Sequence, residues 1–485
     1  MRSKGHPPIQ QTSTPTGGEP PLRALPSVDR VMAHPALAEA RTSLPHEVVV
    51  EAVRRELARM REVLRTGEAR SPGADVTIDV GELARRAAAT ARDMLTPSLR
   101  HAINATGVVI HTNLGRAPLS RRAIEAIART AAYSNLEYDL QAGERGSRYV
   151  HAVQILRRVT GCEDALVVNN NAAALVLSLA ALGAGREAIV SRGQLVEIGG
   201  GFRIPEIMRQ SGARLVEVGT TNRTYLDDYR QAITPDTAIL LRVHTSNFRI
   251  LGFTTAPSVE ELARLAHEHG LIMIDDVGSG ALLDTTRFGL APEPMVQASL
   301  RAGADLVLFS GDKLLGGPQC GIITGRASPI ARLRKHPLAR ALRVDKLTLA
   351  ALEATLTHYL LGEAETEVPV WRMITTPPDA LRARAEQWAQ RLQAAGVACS
   401  VERGESAVGG GSLPGEALPT WLVSIQPQPP QQDAGRLALA LRQAPTPVIA
   451  RVEHDVLLLD PRTVQDDEVD MLIQEVISAA HERVP

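Results

Sequence analysis

The sequence predicts an α/β fold: a mostly parallel sheet covered by helices on both faces, with a small helical domain before it and a small α+β domain after it. Three observations carry this expectation. Short apolar runs alternate with helical segments from about His101 to Val344. Most of the runs are apolar without a polar residue at every second position, as strands of a sheet covered on both faces require. Outside this stretch the alternation stops, which sets the flanking regions apart.

Residues 1–22 combine Pro, Gly, Gln, Ser and Thr with almost no large apolar side chains, so they cannot offset their ordering entropy and are expected to form a disordered tail. Residues 23–75 are assigned to a helical domain. Val49, Val53, Leu57, Met60 and Leu64 recur at three-to-four spacing, Arg54, Arg61 and Arg65 form an adjoining row, and Thr66, Gly67 and Ser71 to Gly73 close the segment. Residues 76–345 begin with a helix carrying Leu83, Ala87 and Ala91. Strands are then expected at Ala165–Val168, Ala188–Val190, Leu215–Val218, Ile239–Val243, Leu271–Ile274, Leu306–Phe309 and Gly321–Thr324. Residues 346–485 open with a connecting helix, Leu347–Leu361. Fewer strands follow, Trp421–Ile425 and Val456–Leu459, joined by Pro- and Gly-rich turns.

Composition bounds the partners. With 53 Lys and Arg against 54 Asp and Glu, no global field draws the chain to nucleic acid or membrane, so an anionic partner must be held by a local patch. Three scattered cysteines, Cys162, Cys320 and Cys399, argue against a disulfide framework and against a metal site, and are expected to be buried hydrophobes. No apolar run approaches the length of a membrane span, and a cytoplasmic location is expected.

The chemistry centres on Lys313. It lies in the run Ser310 to Gln319, directly after an apolar strand, and a lysine at the carboxyl end of a strand faces the ligand crevice of an open α/β sheet. Gly316 and Gly317 are expected to let the backbone come close to a bulky ligand. Asp276 follows the run Leu271–Ile274, where a carboxylate can pair with a pyridinium nitrogen and keep it protonated. Ala165–Val168 leads into Asn169, Asn170, Asn171 and Ala172, where side-chain amides and helix N-terminal amides can cup a phosphate; alone, such a cluster is an ordinary helix cap. The order of cup, carboxylate and lysine resembles the layout of fold type I pyridoxal phosphate enzymes, with Lys313 as the Schiff-base former. In that layout Ser310 is a candidate donor to the phosphate of pyridoxal 5'-phosphate. Asn247, in the run His244 to Asn247, is a candidate donor to its phenolic oxygen. No aromatic is clearly placed to stack on the ring.

Longer words narrow the family. Asn104 to Arg116, Glu137 to Leu140, Gly143 to Arg148, Val196 to Gly200, Asp276 to Gly280 and Ser310 to Gln319 resemble the bacterial selenocysteine synthase family, L-seryl-tRNA(Sec) selenium transferase, over nearly everything from about Leu44 onward. The resemblance implies a substrate of serine esterified to selenocysteine tRNA. Loss of the serine α-proton and β-hydroxyl would give a tRNA-bound aminoacrylyl intermediate, to which selenium from selenophosphate adds. It further implies that Lys313 shuttles the proton, with Asp312 tuning it. Arg116, Arg340 and Arg343 would bind the anionic selenium donor, the last two sharing a helical face. The N-terminal domain would bind tRNA, with Arg54, Arg61 and Arg65 as contributors whose patch is diluted by Glu51, Glu56, Glu62 and Glu68. The resemblance also implies a homo-oligomer, with a decameric ring built from dimers as the larger form. Two other readings compete. A related pyridoxal phosphate lyase acting on a small amino acid or amino sugar would leave the helical domain without a task. A catalytically dead tRNA-binding protein would have no need of Lys313, Asp276 and the asparagine cup together.

Overall fold

The computed structural model describes residues 24–66, 78–199, 201–427 and 433–481. The expected tail at 1–22 and the closing turn at Gly67 and Ser71 to Gly73 lie outside them. The chain divides into two compact units, Met1–Arg100 and His101–Pro485. In the first unit, helix α1 (His46–Thr66) packs Val49, Ala52, Val53 and Leu57 against Leu83, Ala84, Ala87 and Ala91 of helix α2 (Val80–Leu95). The apolar stripe read from the sequence is therefore the seam of a helix pair, and α2 belongs to this unit rather than to a linker. Glu56, expected to dilute the arginine patch, is turned inward: it accepts from Thr90 Oγ1 at 2.9 Å and pairs with Arg86 at 3.1 Å. A buried carboxylate needs such partners.

The second unit opens with β1 (Val108–Ile110). A seven-stranded sheet is then built from β2 (Asp164–Val168), β3 (Glu187–Ser191), β4 (Arg214–Val218), β5 (Thr237–Val243), β6 (Ile272–Gly278), β7 (Leu306–Ser310) and β8 (Gly321–Gly325). The seven apolar runs expected as strands are these strands. Their spatial order is β2-β8-β7-β6-β5-β3-β4; β8 is antiparallel to both neighbours and the other pairs are parallel. Pleating sorts each run onto two faces. Leu166, Val168, Ile239, Leu241, Ile274 and Leu308 pack with the apolar helix α3 (Asn171–Gly183). Val167, Leu240, Met273, Val307 and Phe309 pack on the other side with helix α4 (Lys346–Leu361). Register sets Val243 beside Asp276 and Asp276 beside Leu308, so the carboxyl ends of β5, β6 and β7 form one edge.

β8 starts where backbone meets backbone. A Cβ on Gly321 would stand 2.1 Å from the Asn170 carbonyl oxygen and 2.8 Å from the Asn171 nitrogen. Neither atom can rotate away as a side chain can, so Gly321→Ala is expected to cost about 1–3 kcal/mol by overpacking. Thermal unfolding of the variant measures this, and an unchanged midpoint would mean that the turn into α3 yields freely.

The smaller sheet crosses the division expected at residue 345. Its strands are β9 (Cys399–Gly409), β10 (Ala417–Ile425), β11 (Arg451–Glu453) and β12 (Val456–Leu459), in the order β11-β12-β10-β9-β1. β1 pairs in parallel with β9 through Val108–Ala407 and Ile110–Gly409. The start of the word Asn104 to Arg116 is fixed by the same domain: Thr463 Oγ1 donates to the Asn104 carbonyl at 2.7 Å and accepts from the Gly107 amide at 3.0 Å. Among the described residues no helix is long and apolar enough to cross a membrane.

Candidate active site

Lys313 follows β7 in a turn whose backbone is held at several points. The Gly311 amide donates to Cys320 O at 2.9 Å, Leu314 to Ser279 O at 3.0 Å and Gly317 to Gly311 O at 2.8 Å. Beneath the turn, buried Trp371 donates through Nε1 to Tyr359 Oη (2.7 Å), and Tyr359 donates to Leu315 O (2.7 Å). The lysine itself is only 7% exposed. Burial holds its amine below the usual lysine range, against the opposing charges of Asp312 and Asp276, which favours a nucleophilic neutral amine.

Asp275 and Asp276 are neighbours whose side chains leave opposite faces of β6. Asp275 is fully buried and paired with Arg242 at 2.7 Å. Asp276 has no guanidinium: its Oδ1 accepts from Asn171 Nδ2 at 2.8 Å, and burial pushes its carboxyl up to about 6 against the pull of Asn171 and Lys313. A carboxylate in this state gains most from a cationic N–H arriving in the cavity.

That cavity, about 230 Å³, is lined by Lys313, Asp276, Asn170, Asn171, Ala172, Ser310, Asp312 and Arg116, so eight residues expected at the site converge there. The N-terminus of α3 opens onto it. Asn170 caps the helix by accepting from the Ala173 amide at 2.8 Å, and its neighbour is committed to Asp276, so these two amides are already engaged; the helix end and Ser310 also border the cavity. Arg116 Nη1 donates to Asp312 Oδ2 at 2.7 Å, which ties the residue beside Lys313 to the turn after β1. From the turn after β9, Gly411 lies against the lysine: a Cβ there would be 2.8 Å from Nζ. Cys320 borders the same space, and burial pushes its thiol up, away from thiolate chemistry.

Other expected residues lie elsewhere. Asn247 is exposed and donates to Glu197 O at 2.8 Å, whereas His244 and Ser246 line the cavity. β5 has ended at Val243, and a turn in which the Ser246 amide donates to His244 O at 2.9 Å carries Asn247 away from the cavity. Arg340 is exposed on the short helix Pro337–Ala341; Arg343 lies beyond its end, in a bridge to Val168 beside Arg148 and Tyr149. They share no helical face because the helix stops between them. Gly316 and Gly317 face Val368 and Thr355, not the cavity; the glycines that border it are Gly199 and Gly278. Arg54, Arg61 and Arg65 are exposed on α1, with Arg65 paired to Glu62 at 2.6 Å.

Comparison with known proteins places the whole chain beside one family. A family model described as L-seryl-tRNA selenium transferase matches residues 102–465, and one described as selenocysteine synthase N terminal matches residues 22–61. The chain is 46% identical over 452 residues to the L-seryl-tRNA(Sec) selenium transferase of Carboxydothermus hydrogenoformans, covering 93% of this chain and 96% of that one. It is 51% identical over 457 residues to the enzyme of that name from Solidesulfovibrio magneticus, again covering 93% and 96%. Among solved structures, a D-glucosaminate-6-phosphate ammonia-lyase shares the fold, with a TM-score of 0.56 and 22% identity over 80% of this chain and 100% of that one. With one family model spanning most of its length and relatives matching nearly end to end, the chain belongs to the L-seryl-tRNA(Sec) selenium transferase family.

Proposed function

We propose that the cavity holds pyridoxal 5'-phosphate and that the chain uses it, with selenophosphate as selenium donor, in the family's conversion of seryl-tRNA(Sec) to selenocysteinyl-tRNA(Sec). The observation that carries this is one cavity containing a buried amine, a buried carboxylate held by an amide rather than a guanidinium, and a helix N-terminus. These fit the aldehyde, the ring nitrogen and the phosphate of the cofactor respectively. When bound, the cofactor supplies an electron sink that acidifies the serine α-proton and lets the β-hydroxyl leave.

The chain's own residues do the rest. Lys313 Nζ anchors the cofactor and, once free, moves the proton at the serine α-carbon; Asp276 holds the ring N–H; Ser310 and the first amides of α3 hold the phosphate. Arg116 supplies positive charge for the anionic donor, and Asp312 holds that guanidinium beside Lys313. Arg116 is retained for the donor over Arg340 and Arg343 because it borders the cavity. The helical unit, through Arg54, Arg61 and Arg65, is assigned to the tRNA backbone. A cytoplasmic homo-oligomer is proposed, supported by the exposed apolar side chains Tyr133, Leu140 and Val150 of the second unit.

The test is incubation with seryl-tRNA(Sec) and selenophosphate, followed by hydrolysis and identification of the amino acid carried by the tRNA. Selenocysteine is expected. Recovery of serine alone would favour a lyase acting on a small amino acid or amino sugar.

A further inference from the structure

Glu293 is a buried carboxylate with no task in the reaction outlined above. Its side chain is 2% exposed, and its Oε1 has no hydrogen-bond partner. It sits between Pro292 and Pro294, with its amide donating to Thr285 Oγ1 at 3.0 Å and the same hydroxyl donating to Ala291 O at 2.6 Å. The carboxylate is therefore held by a stiff loop, and leaving it unpaired is costly. The nearest complement is His244 Nε2, 3.4 Å from Oε1 and also buried without a hydrogen-bond partner. His244 borders the cofactor cavity, and its backbone amide donates to Asp276 O at 2.8 Å.

We infer that Glu293 is a positioning residue: it takes a hydrogen bond from His244 Nε2–H and so fixes the imidazole at the wall of the cavity, with Nδ1 as its remaining polar atom. The inference rests on the cofactor reading proposed above. A histidine ring is oriented by what its second nitrogen binds, and a carboxylate in that position sets the tautomer. The other charged groups around the same cavity are Asp276 from β6, and Asp312, Lys313 and Arg116 across it. Of these, Asp276 accepts from Asn171, and Asp312 pairs with Arg116. Glu293 is also close enough for its charge to favour the protonated form of Lys313. An experiment must therefore separate action through His244 from action on the lysine.

A double-mutant cycle on the full-length, cofactor-loaded protein does so. The variants are Glu293→Gln, Glu293→Ala, His244→Ala and His244→Ala with Glu293→Gln. The readouts are the pH midpoint of the cofactor's visible absorption band and kcat, with thermal unfolding as a check on the fold. Glu293→Gln is expected to move the midpoint by about 0.5–1 unit. Misplacing the ring is expected to lower kcat on the order of tenfold in Glu293→Ala, with partial rescue in Glu293→Gln, whose amide oxygen still accepts a hydrogen bond. In the His244→Ala background Glu293→Gln should leave kcat unchanged and keep only a smaller midpoint shift, from the charge lost near Lys313. Additive effects would overturn the inference and place Glu293 on Lys313 directly, as would an unshifted band in both Glu293 variants. Absence of any band in the unsubstituted protein would instead sink the cofactor reading, and this inference with it.

Discussion

Lys313→Ala is expected to lose the visible cofactor band and to turn over seryl-tRNA(Sec) at least about 10⁴-fold more slowly, because one substitution removes both the covalent anchor and the proton carrier. Its fold should persist. The amine is buried, and burial already works against its charge, so truncation removes a group whose desolvation opposes folding rather than one that holds the core together. The turn around it is held by other residues, through the Leu314–Ser279 and Tyr359–Leu315 hydrogen bonds. Absorbance, turnover and thermal unfolding measured on one preparation separate these effects. A retained band would remove Lys313 from the cofactor site, and a collapsed fold would show that the lysine stem packs the cavity wall.

The contrast between what was legible in the sequence and what was not follows the range of the forces involved. Buried strands of a covered sheet are apolar runs, so the central strands are legible in the sequence, and with them Lys313 and Asp276 near strand ends; β4, a half-exposed edge strand, is marked only by a short run broken by Glu217. Non-local pairing leaves no such trace. β1 is three residues long and joins β9, which begins only at Cys399, so its place in the smaller sheet could not be read from local periodicity. The same pairing brings Arg116 and Gly411 to Lys313 from segments far apart in the sequence. A family word contains Arg116, and none contains Gly411. Asn247 lies past the end of β5 in a turn closed by the Ser246–His244 hydrogen bond, and that local bend leaves no trace in an apolar pattern. The three-residue spacing of Arg340 and Arg343 is helical, but the helix ends at Ala341 and a backbone bridge to Val168 takes over. Glu293 and His244 are individually unremarkable in sequence, and their relation exists only in three dimensions.

Asp276→Asn should separate stability from function in opposite directions. An amide cannot hold the ring nitrogen protonated, so turnover is expected to fall on the order of 10²–10³-fold, the loss typical of removing one preorganised electrostatic partner. Cofactor should still bind through Lys313 and the α3 end. In cofactor-free protein the sign reverses. The carboxyl of Asp276 is raised from 3.8 to about 6 by burial, so the folded state takes up this proton more readily than the unfolded chain does. Its stabilising contribution is complete below about pH 3.8 and is lost as pH rises through about 6. Above that, the ionised carboxylate burdens the fold by on the order of 3 kcal/mol. The amide has no proton to lose, and its oxygen can keep the Asn171 hydrogen bond. The cofactor-free variant is therefore expected to melt several degrees above the unsubstituted protein at pH 8, with the gap narrowing towards pH 4. Equal melting at both pH values would mean that the charge is already compensated without cofactor. A widening gap at high pH would instead tie the cost of burying Asp276 to its use, since the desolvation that makes an unpaired carboxylate unfavourable is what makes the site favourable for a protonated ring nitrogen.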